Sequence, residues 1–115
     1  MRYMLYNQPT DMRKSYHSLS GLVTNILNSD PSNGDVYIFI NKSRNRIKLL
    51  HWEPGGMVLY SKLLEAGTLG RGPDLDKDEL SGIIEWRDLV LLVEGIIEKP
   101  DSRSQRLESL RKLRK

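Results

Sequence analysis

Three strand-like segments follow one another closely between residues 36 and 63, and they constrain the fold more than any other feature. They are rich in β-branched, aromatic and large aliphatic side chains, which favour extended structure. The segments are Val36–Ile40, Arg46–Trp52 and Met57–Leu63. A polar turn at 41–45 and a tight turn at 53–56 connect them, and such short connections make consecutive strands antiparallel. The sequence therefore predicts an antiparallel β-meander.

The meander has two faces of different chemistry, because side chains alternate along a strand and cross-strand partners share a face. Pairing Ile40 with Ile47, and His51 with Val58 or Tyr60, sorts the side chains into two sets. The aliphatic face holds Val36, Ile38, Ile40, Ile47, Leu49, His51, Val58, Tyr60 and Lys62. The ring face holds Tyr37, Phe39, Arg46, Lys48, Leu50, Trp52, Met57, Leu59 and Ser61. We expect the first helix to pack on the aliphatic face.

The ring face permits two interpretations. Rings and cations together on a sheet can stack bases and hold phosphates, which favours nucleic-acid binding. Alternatively, Leu50, Met57 and Leu59 bury this face while Arg46 and Lys48 extend their charged groups from its edge. We expect Trp52 to pack over the strand end, and we expect Arg44, Arg46 and Lys48 to have no packing role if their side-chain stems lie at the edge of the sheet.

Helical periodicity is clear only near the N-terminus. A short strand over residues 3–7 is ended by Pro9. Apolar residues at helical spacing then predict a helix over 15–27 with one buried stripe. We expect the stripe residues Leu19, Leu22, Val23 and Ile26 to be inaccessible.

The C-terminal third contains weaker signals. Ile83–Trp86 is a possible short strand, and Asp88–Ile97 has the spacing of a short helix. The whole predicts a single α+β domain over residues 1–99, a small antiparallel β-meander with one helix packed on the sheet and a short C-terminal helix.

Residues 100–115 form a basic tail. Between 103 and 115, six Lys or Arg residues face one Glu, a net charge of +5, whereas the whole chain carries +3. Leu107, Leu110 and Leu113 are spaced three apart, so the tail is either an amphipathic helix or disordered. We expect it to be separable from the domain.

Several function classes lack a sequence signal. The chain has no cysteine, which excludes disulfides and thiolate metal sites. It shows no signal peptide and no segment long enough to cross a bilayer, so we expect a cytoplasmic protein without a membrane partner. The acidic run at 74–79 has Glu79 where a calcium loop needs glycine. No catalytic constellation, metal site or cofactor motif is predicted.

Three stretches resemble one known family. They are PTDMRKSYHSLSGLV at 9–23, the run from Asp30 to Leu69 with its IKLLHW strand, and LVLLVEGI at 89–96. Together they resemble the TnpB accessory proteins of insertion sequence sixty-six transposons, the Orf-two-like family. The closing SKLL at 61–64 has one cation fewer than the family pattern.

The resemblance implies a role in transposition beside a separately encoded transposase. We therefore expect a non-enzymatic accessory factor that binds DNA at the transposon ends, the transposase, or both; a nuclease is a much weaker alternative. A protein-interaction module without nucleic-acid contact is the second hypothesis. The candidate DNA-binding residues are Arg13, Lys14, Lys42, Arg44, Arg46, Lys48, Trp52 and Lys62.

Overall fold

A computed structural model describes residues 1–70 and 78–94 as a five-stranded mixed sheet with a helix on each face. The strands lie in the order β4-β3-β2-β1-β5. The elements in chain order are β1 (Tyr3–Tyr6), α1 (Tyr16–Asn25), β2 (Val36–Ile40), β3 (Arg46–Glu53), β4 (Gly56–Leu63), β5 (Ser81–Ile84) and α2 (Trp86–Val93).

The predicted meander is confirmed for β2, β3 and β4. Ile40 pairs with Ile47 and His51 pairs with Val58, so the two faces hold the side chains that the alternation predicted. The β3–β4 turn contains only Pro54 and Gly55. Gly55 has φ +93°, a conformation that glycine adopts without the steric cost of a side chain.

The sheet extends beyond the meander through β1 and β5. β1 is parallel to β2, and β5 is antiparallel to β1. A parallel neighbour requires a long crossover, and α1 with its flanking loops supplies it. The fold is therefore α+β as expected, but its sheet is mixed and not purely antiparallel.

The first helix covers the ring face, which contradicts the expectation that it packs on the aliphatic face. The Val36 amide donates to the Arg2 carbonyl, and this bond determines on which side of β2 the strand β1 lies. With β1 on that side, only a helix over the ring face makes the β1–α1–β2 crossover right-handed. Right-handed crossovers account for about 98% of such units, because strand twist and helix handedness fit together only that way.

The first helix is also shorter than predicted. It ends at Asn25, and Asn28 adopts a left-handed conformation with φ +52°. The amides of Ile26 and Leu27 both donate to the Leu22 carbonyl, so the last turn widens and the chain leaves the helix. Ile26 is consequently 46% exposed, contrary to prediction. Leu22 is half-buried, while the expected burial of Leu19 and Val23 is complete.

The two faces of the sheet carry separate cores. The ring-face core consists of Leu19, Val23, Tyr37, Phe39 and Leu50. The aliphatic-face core joins the sheet to α2 and to the segment after β4, through Leu5, Val36, Ile38, Ile40, Ile47, Leu64, Leu69, Ile84, Leu89 and Leu92. Every residue of β2 is buried, as expected for a strand covered on both faces.

The second helix begins two residues earlier than predicted. Its N-terminus is held by Asp88, whose carboxylate accepts a hydrogen bond of 3.1 Å from the Glu85 amide. Because the chain enters the helix at Trp86, β5 spans Ser81–Ile84 instead of Ile83–Trp86. The predicted continuation to Ile97 and the tail at 100–115 lie outside the described residues.

One ion pair joins the N-terminus to the start of β2. The amide, Nε and Nη2 of Arg2 all donate to the Asp35 carboxylate, at 3.0, 3.1 and 2.8 Å. Asp35 is only 6% exposed. Burial raises the pKa of Asp35, but the hydrogen bonds from the Arg2 side chain and amide outweigh burial and hold the pKa below its usual value.

This pair predicts a specific acid sensitivity. Because the folded-state pKa of Asp35 is lowered, its stabilisation is present above the unfolded pKa of about 3.9 and is lost as pH falls toward the folded value. Asp35→Asn should therefore be less stable at pH 7 and should lose less further stability between about pH 5 and pH 2. Urea unfolding at several pH values measures this. If the free energy of unfolding of Asp35→Asn falls as steeply as that of the wild type between about pH 5 and pH 2, the prediction is contradicted.

Candidate nucleic-acid interface

The topology gathers the predicted cations at one end of the sheet, where β2 turns into β3. The Thr10 amide donates to the Ile40 carbonyl, so the loop before α1 returns to this end. Ile47 stands between Ile40 and Lys62 in the ladder, which brings β4 to the same place. We call this region the basic end, defined by Arg13, Lys14, Lys42, Arg44, Arg46, Lys48 and Lys62.

The β2–β3 turn that carries Lys42 and Arg44 is built around Asn41. Its Oδ1 accepts hydrogen bonds from the Asn45 and Arg46 amides, at 3.1 and 3.0 Å. Arg44 has φ +55°, and its Nη2 donates to the Gly70 carbonyl at 2.7 Å. Arg44 therefore ties the turn to the segment after β4. The sequence predicted the polar turn at 41–45 but not the role of the Asn41 side chain in it, although Asn side chains at turns commonly bond to the backbone that follows.

Lys48 has a structural role that was not expected. Its Nζ donates to the Met12 carbonyl at 2.8 Å and to the Lys14 carbonyl at 2.6 Å. The ammonium thus closes the loop before α1 onto the sheet. The expectation that Arg44 and Lys48 have no packing role is wrong, because both donate to backbone carbonyls of distant segments.

Lys62 performs a similar task on the aliphatic face. Its Nζ donates to the Val93 carbonyl at 2.6 Å, at the last residue of α2. A cation is favoured there, because the carbonyls at a helix C-terminus carry partial negative charge. The bond holds the end of α2 against β4, and it places the point where the chain continues beyond Glu94 beside the basic end.

Arg13 is neutralised by an acid two residues earlier. Its Nε and Nη2 donate to the Asp11 carboxylate, and the Nη2 bond is 2.7 Å. These hydrogen bonds lower the pKa of Asp11 to about 2, so the carboxylate stays ionised at neutral pH. Arg13 is exposed but already paired, and a phosphate would have to compete with Asp11 for it.

Three cations of the basic end remain uncommitted. Within residues 1–70 and 78–94, the side chains of Lys14, Lys42 and Arg46 form neither a hydrogen bond nor an ion pair. Lys42 and Arg46 are exposed, and Lys14 is half-buried. These three side chains have the properties expected of phosphate contacts, which need a charge that is free to pair.

Trp52 lies away from this group. It pairs with Met57 next to the β3–β4 turn, six residues from Arg46 along one strand. That spacing corresponds to about 20 Å. Trp52 is 39% exposed on the ring face beyond the basic end. The phosphate of a base stacked on Trp52 would therefore be too far from Arg46 to contact it.

A different apolar feature lies on the aliphatic face. A groove of about 310 Å³ separates α2 from β3 and β4. Its walls are Leu49, Tyr60, Trp86, Leu89, Val90, Val93 and Glu94. Trp86 is 62% exposed there, and its ring lies 5.7 Å from that of Tyr3. No sequence pattern indicated this groove, because it forms only when α2 crosses the sheet.

The described part of the chain offers neither a metal site nor a membrane span. Residues 1–70 and 78–94 hold no group of three His, Asp or Glu side chains placed to bind a metal ion. Neither α1 nor α2 is long and apolar enough to span a membrane. Asp74 and Asp76 of the acidic run lie outside these ranges, whereas Asp78 and Glu79 lie within them.

The small α+β scaffold with a cation-rich sheet end fits the class suggested by its motifs. The family model described as IS66 Orf2 like protein matches residues 1–103, and the chain belongs to that family. Membership of that family associates the chain with the transposition of insertion sequences. The match includes every element of the sheet and both helices.

One curated relative matches part of the chain. It is the uncharacterized protein y4jC of Sinorhizobium fredii, with 37% identity over 67 residues. The match spans 58% of this chain and 57% of the relative, so the chain covers little more than half of that protein. No solved structure matches the chain.

Lys48 and Arg46 provide a matched test of structural against free cations, since they lie two residues apart on the ring face of β3. Lys48→Gln removes two charge-assisted bonds to carbonyls and should reduce the free energy of unfolding by about 1–2 kcal/mol. Arg46→Gln should change it by less than about 0.5 kcal/mol. Chemical denaturation measures both. Equal stability of the two variants would show that Lys48 does not hold the loop before α1.

Proposed function

We propose that this protein is a non-enzymatic accessory factor that binds DNA at the ends of its transposon and acts beside the transposase. The basic end contacts the phosphate backbone, and the exposed cations supply the attraction. The protein acts in the cytoplasm on transposon DNA and with transposon-encoded proteins, without a membrane partner or a cofactor.

One observation carries this proposal, namely the convergence of seven cations from four separate segments at one end of the sheet. The loop before α1, the β2–β3 turn, β3 and β4 all contribute. Phosphate contacts dominate the affinity of most proteins for DNA, and a basic surface is the electrostatic mark of such binding. Four of these cations brace the fold or pair with Asp11, which leaves Lys14, Lys42 and Arg46 as the direct phosphate contacts.

The tail strengthens the same surface. The described chain ends at Glu94, next to the Val93 carbonyl to which Lys62 of the basic end donates. The tail adds a net charge of +5 between 103 and 115. A tethered basic segment raises the local concentration of cations around bound DNA without any new contact in the domain.

A protein-interaction module is the second candidate function, and the groove on the aliphatic face favours it. Exposed aromatic residues are enriched at protein interfaces, and Trp86 and Tyr60 flank this groove. The partner would be a hydrophobic segment of another transposon-encoded protein. The ring face does not offer this surface, because α1 already covers it. The two functions use different regions, so they are compatible.

Arg46 and Arg87 give a test in which the net charge changes equally. Both side chains are exposed, but Arg87 lies in the first turn of α2, at the opposite end of that helix from Val93, and is paired with Glu85. Arg46→Gln should weaken binding to duplex DNA of the transposon ends. It should also reduce the slope of log K against log salt by about 0.9, because one phosphate is no longer neutralised. Arg87→Gln should change neither quantity. Fluorescence anisotropy at several salt concentrations measures both.

Binding that responds equally to the two substitutions would indicate a nonspecific effect of net charge and would contradict an interface at the basic end. If the affinity for DNA and its salt slope stay at the wild-type values in Lys14→Gln, Lys42→Gln and Arg46→Gln, the basic end does not bind DNA. The protein-interaction module would then be the better interpretation.

The tail makes a separate prediction. Deleting residues 100–115 should change the Tm little, because Pro100 and the polar segment 101–104 leave few ways to pack the residues that follow them into the core. The same deletion should weaken DNA binding and reduce its salt dependence, since up to six cations are removed. Thermal denaturation and anisotropy measure the two effects. A large decrease in stability would show instead that Leu107, Leu110 and Leu113 pack on the domain.

A further inference from the structure

A second groove runs along α1 on the outer side of the ring-face core. It has a volume of about 500 Å³ and is open to solvent. The groove lies between the end of β1 and one flank of α1, and it begins at the basic end with Lys14. Its lining is Tyr6, Lys14, Ser18, Gly21, Leu22, Asn25 and Ile26.

Gly21 is the unusual member of this lining. It lies in the middle of α1, where glycine costs about 0.5–1 kcal/mol relative to alanine. Its φ is not in the left-handed region, so the backbone does not require glycine. A Cβ at this position would meet only Asn25 Nδ2, at 3.9 Å, so packing does not require glycine either. The effect of Gly21 is to leave the groove unfilled.

The other lining residues offer groups suited to a nucleotide. The Tyr6 ring is fixed by an edge-to-face contact with Phe39 at a centroid distance of 6.1 Å. The Lys14 ammonium makes neither a hydrogen bond nor an ion pair within residues 1–70 and 78–94, although its charge helps to lower the pKa of Asp11. Ser18 and Asn25 make no side-chain hydrogen bond within the described part of the chain, so their donors and acceptors are free for a ligand. Leu22 and Ile26 supply an apolar wall.

We propose that this groove binds an unpaired base of single-stranded DNA, with Lys14 on the adjoining phosphate. The inference rests on the proposed DNA-binding function and names the form of DNA that this surface takes. A volume of about 500 Å³ falls within the range of about 300–1,000 Å³ usual for small-ligand sites. Single-strand binding commonly combines an aromatic platform with a basic track, which here are Tyr6 and the basic end.

An unpaired base is favoured over an apolar protein segment by the composition of the groove. Nearly half of the surface that lines it is polar, whereas the surface lining the groove beside α2 is mostly apolar. A base in a duplex cannot enter without being unstacked, which costs a few kcal/mol. The groove therefore distinguishes single-stranded from duplex DNA, whereas the cations of the basic end serve both.

Gly21→Leu tests this inference without removing any wild-type side chain. The leucine Cβ meets only Asn25 Nδ2, at an ordinary contact distance of 3.9 Å, and the rest of the side chain extends into the groove that Gly21 lines. Leucine is also a better helix former than glycine, so the Tm should equal or exceed that of the wild type. Affinity for a fluorescein-labelled 12-nucleotide single strand should fall about 5-fold to 100-fold, as expected when one base can no longer stack. Affinity for a duplex of the same sequence should stay within about twofold.

Thr24→Leu is the matched control, since it places the same side chain on an exposed position of α1 outside the groove lining. It should leave both affinities unchanged. Wild-type affinity of Gly21→Leu for the single strand would overturn this inference while leaving duplex binding by the basic end intact. If Gly21→Leu keeps the wild-type affinity for the single strand but no longer binds the transposase, the inference is also overturned, and the groove is a protein-binding site. Absence of salt-dependent binding to either DNA would refute the proposed function itself.

Discussion

The parallel pairing of β1 with β2 is the constraint on which the rest of the molecule depends. It requires the chain to cross the sheet between residues 7 and 35, and the right-handed sense of that crossover places α1 over the ring face. The same crossover returns the loop before α1 to the end of β2, where Thr10 bonds to Ile40. Both the ring-face core and the basic end are consequences of this one pairing.

Several cations of the basic end stabilise the fold itself, independently of any ligand. Lys48, Arg44 and Lys62 each donate to a backbone carbonyl of another segment, and each joins two parts of the chain that are distant in sequence. Carbonyl groups at loop and helix ends need a donor, and a long cationic side chain can reach them from a strand or a turn. The same property that suits these side chains to phosphate therefore holds the loops and α2 in place.

The two covered faces of the sheet provide the protein with two unlike grooves. The groove along α1 has a polar and aromatic lining and opens at the basic end, while the groove beside α2 is apolar and flanked by Trp86. The sheet separates them, so the two proposed binding functions fall on different surfaces of the protein.

The sequence by itself determined the strands of the meander, their register and the division of their side chains between two faces. These follow from local alternation and short turns, so Ile40 opposite Ile47 was predictable, and His51 was limited to Val58 or Tyr60, which lie on the same face. It also determined the apolar stripe of Leu19 and Val23. Only the tertiary structure decided which face that stripe covers, because crossover handedness depends on β1, which residues 7–35 separate from its partner β2. For the same reason, no sequence pattern distinguished the bonded Lys48 from the free Arg46: the carbonyls that hold Lys48 lie more than 30 residues earlier in the chain.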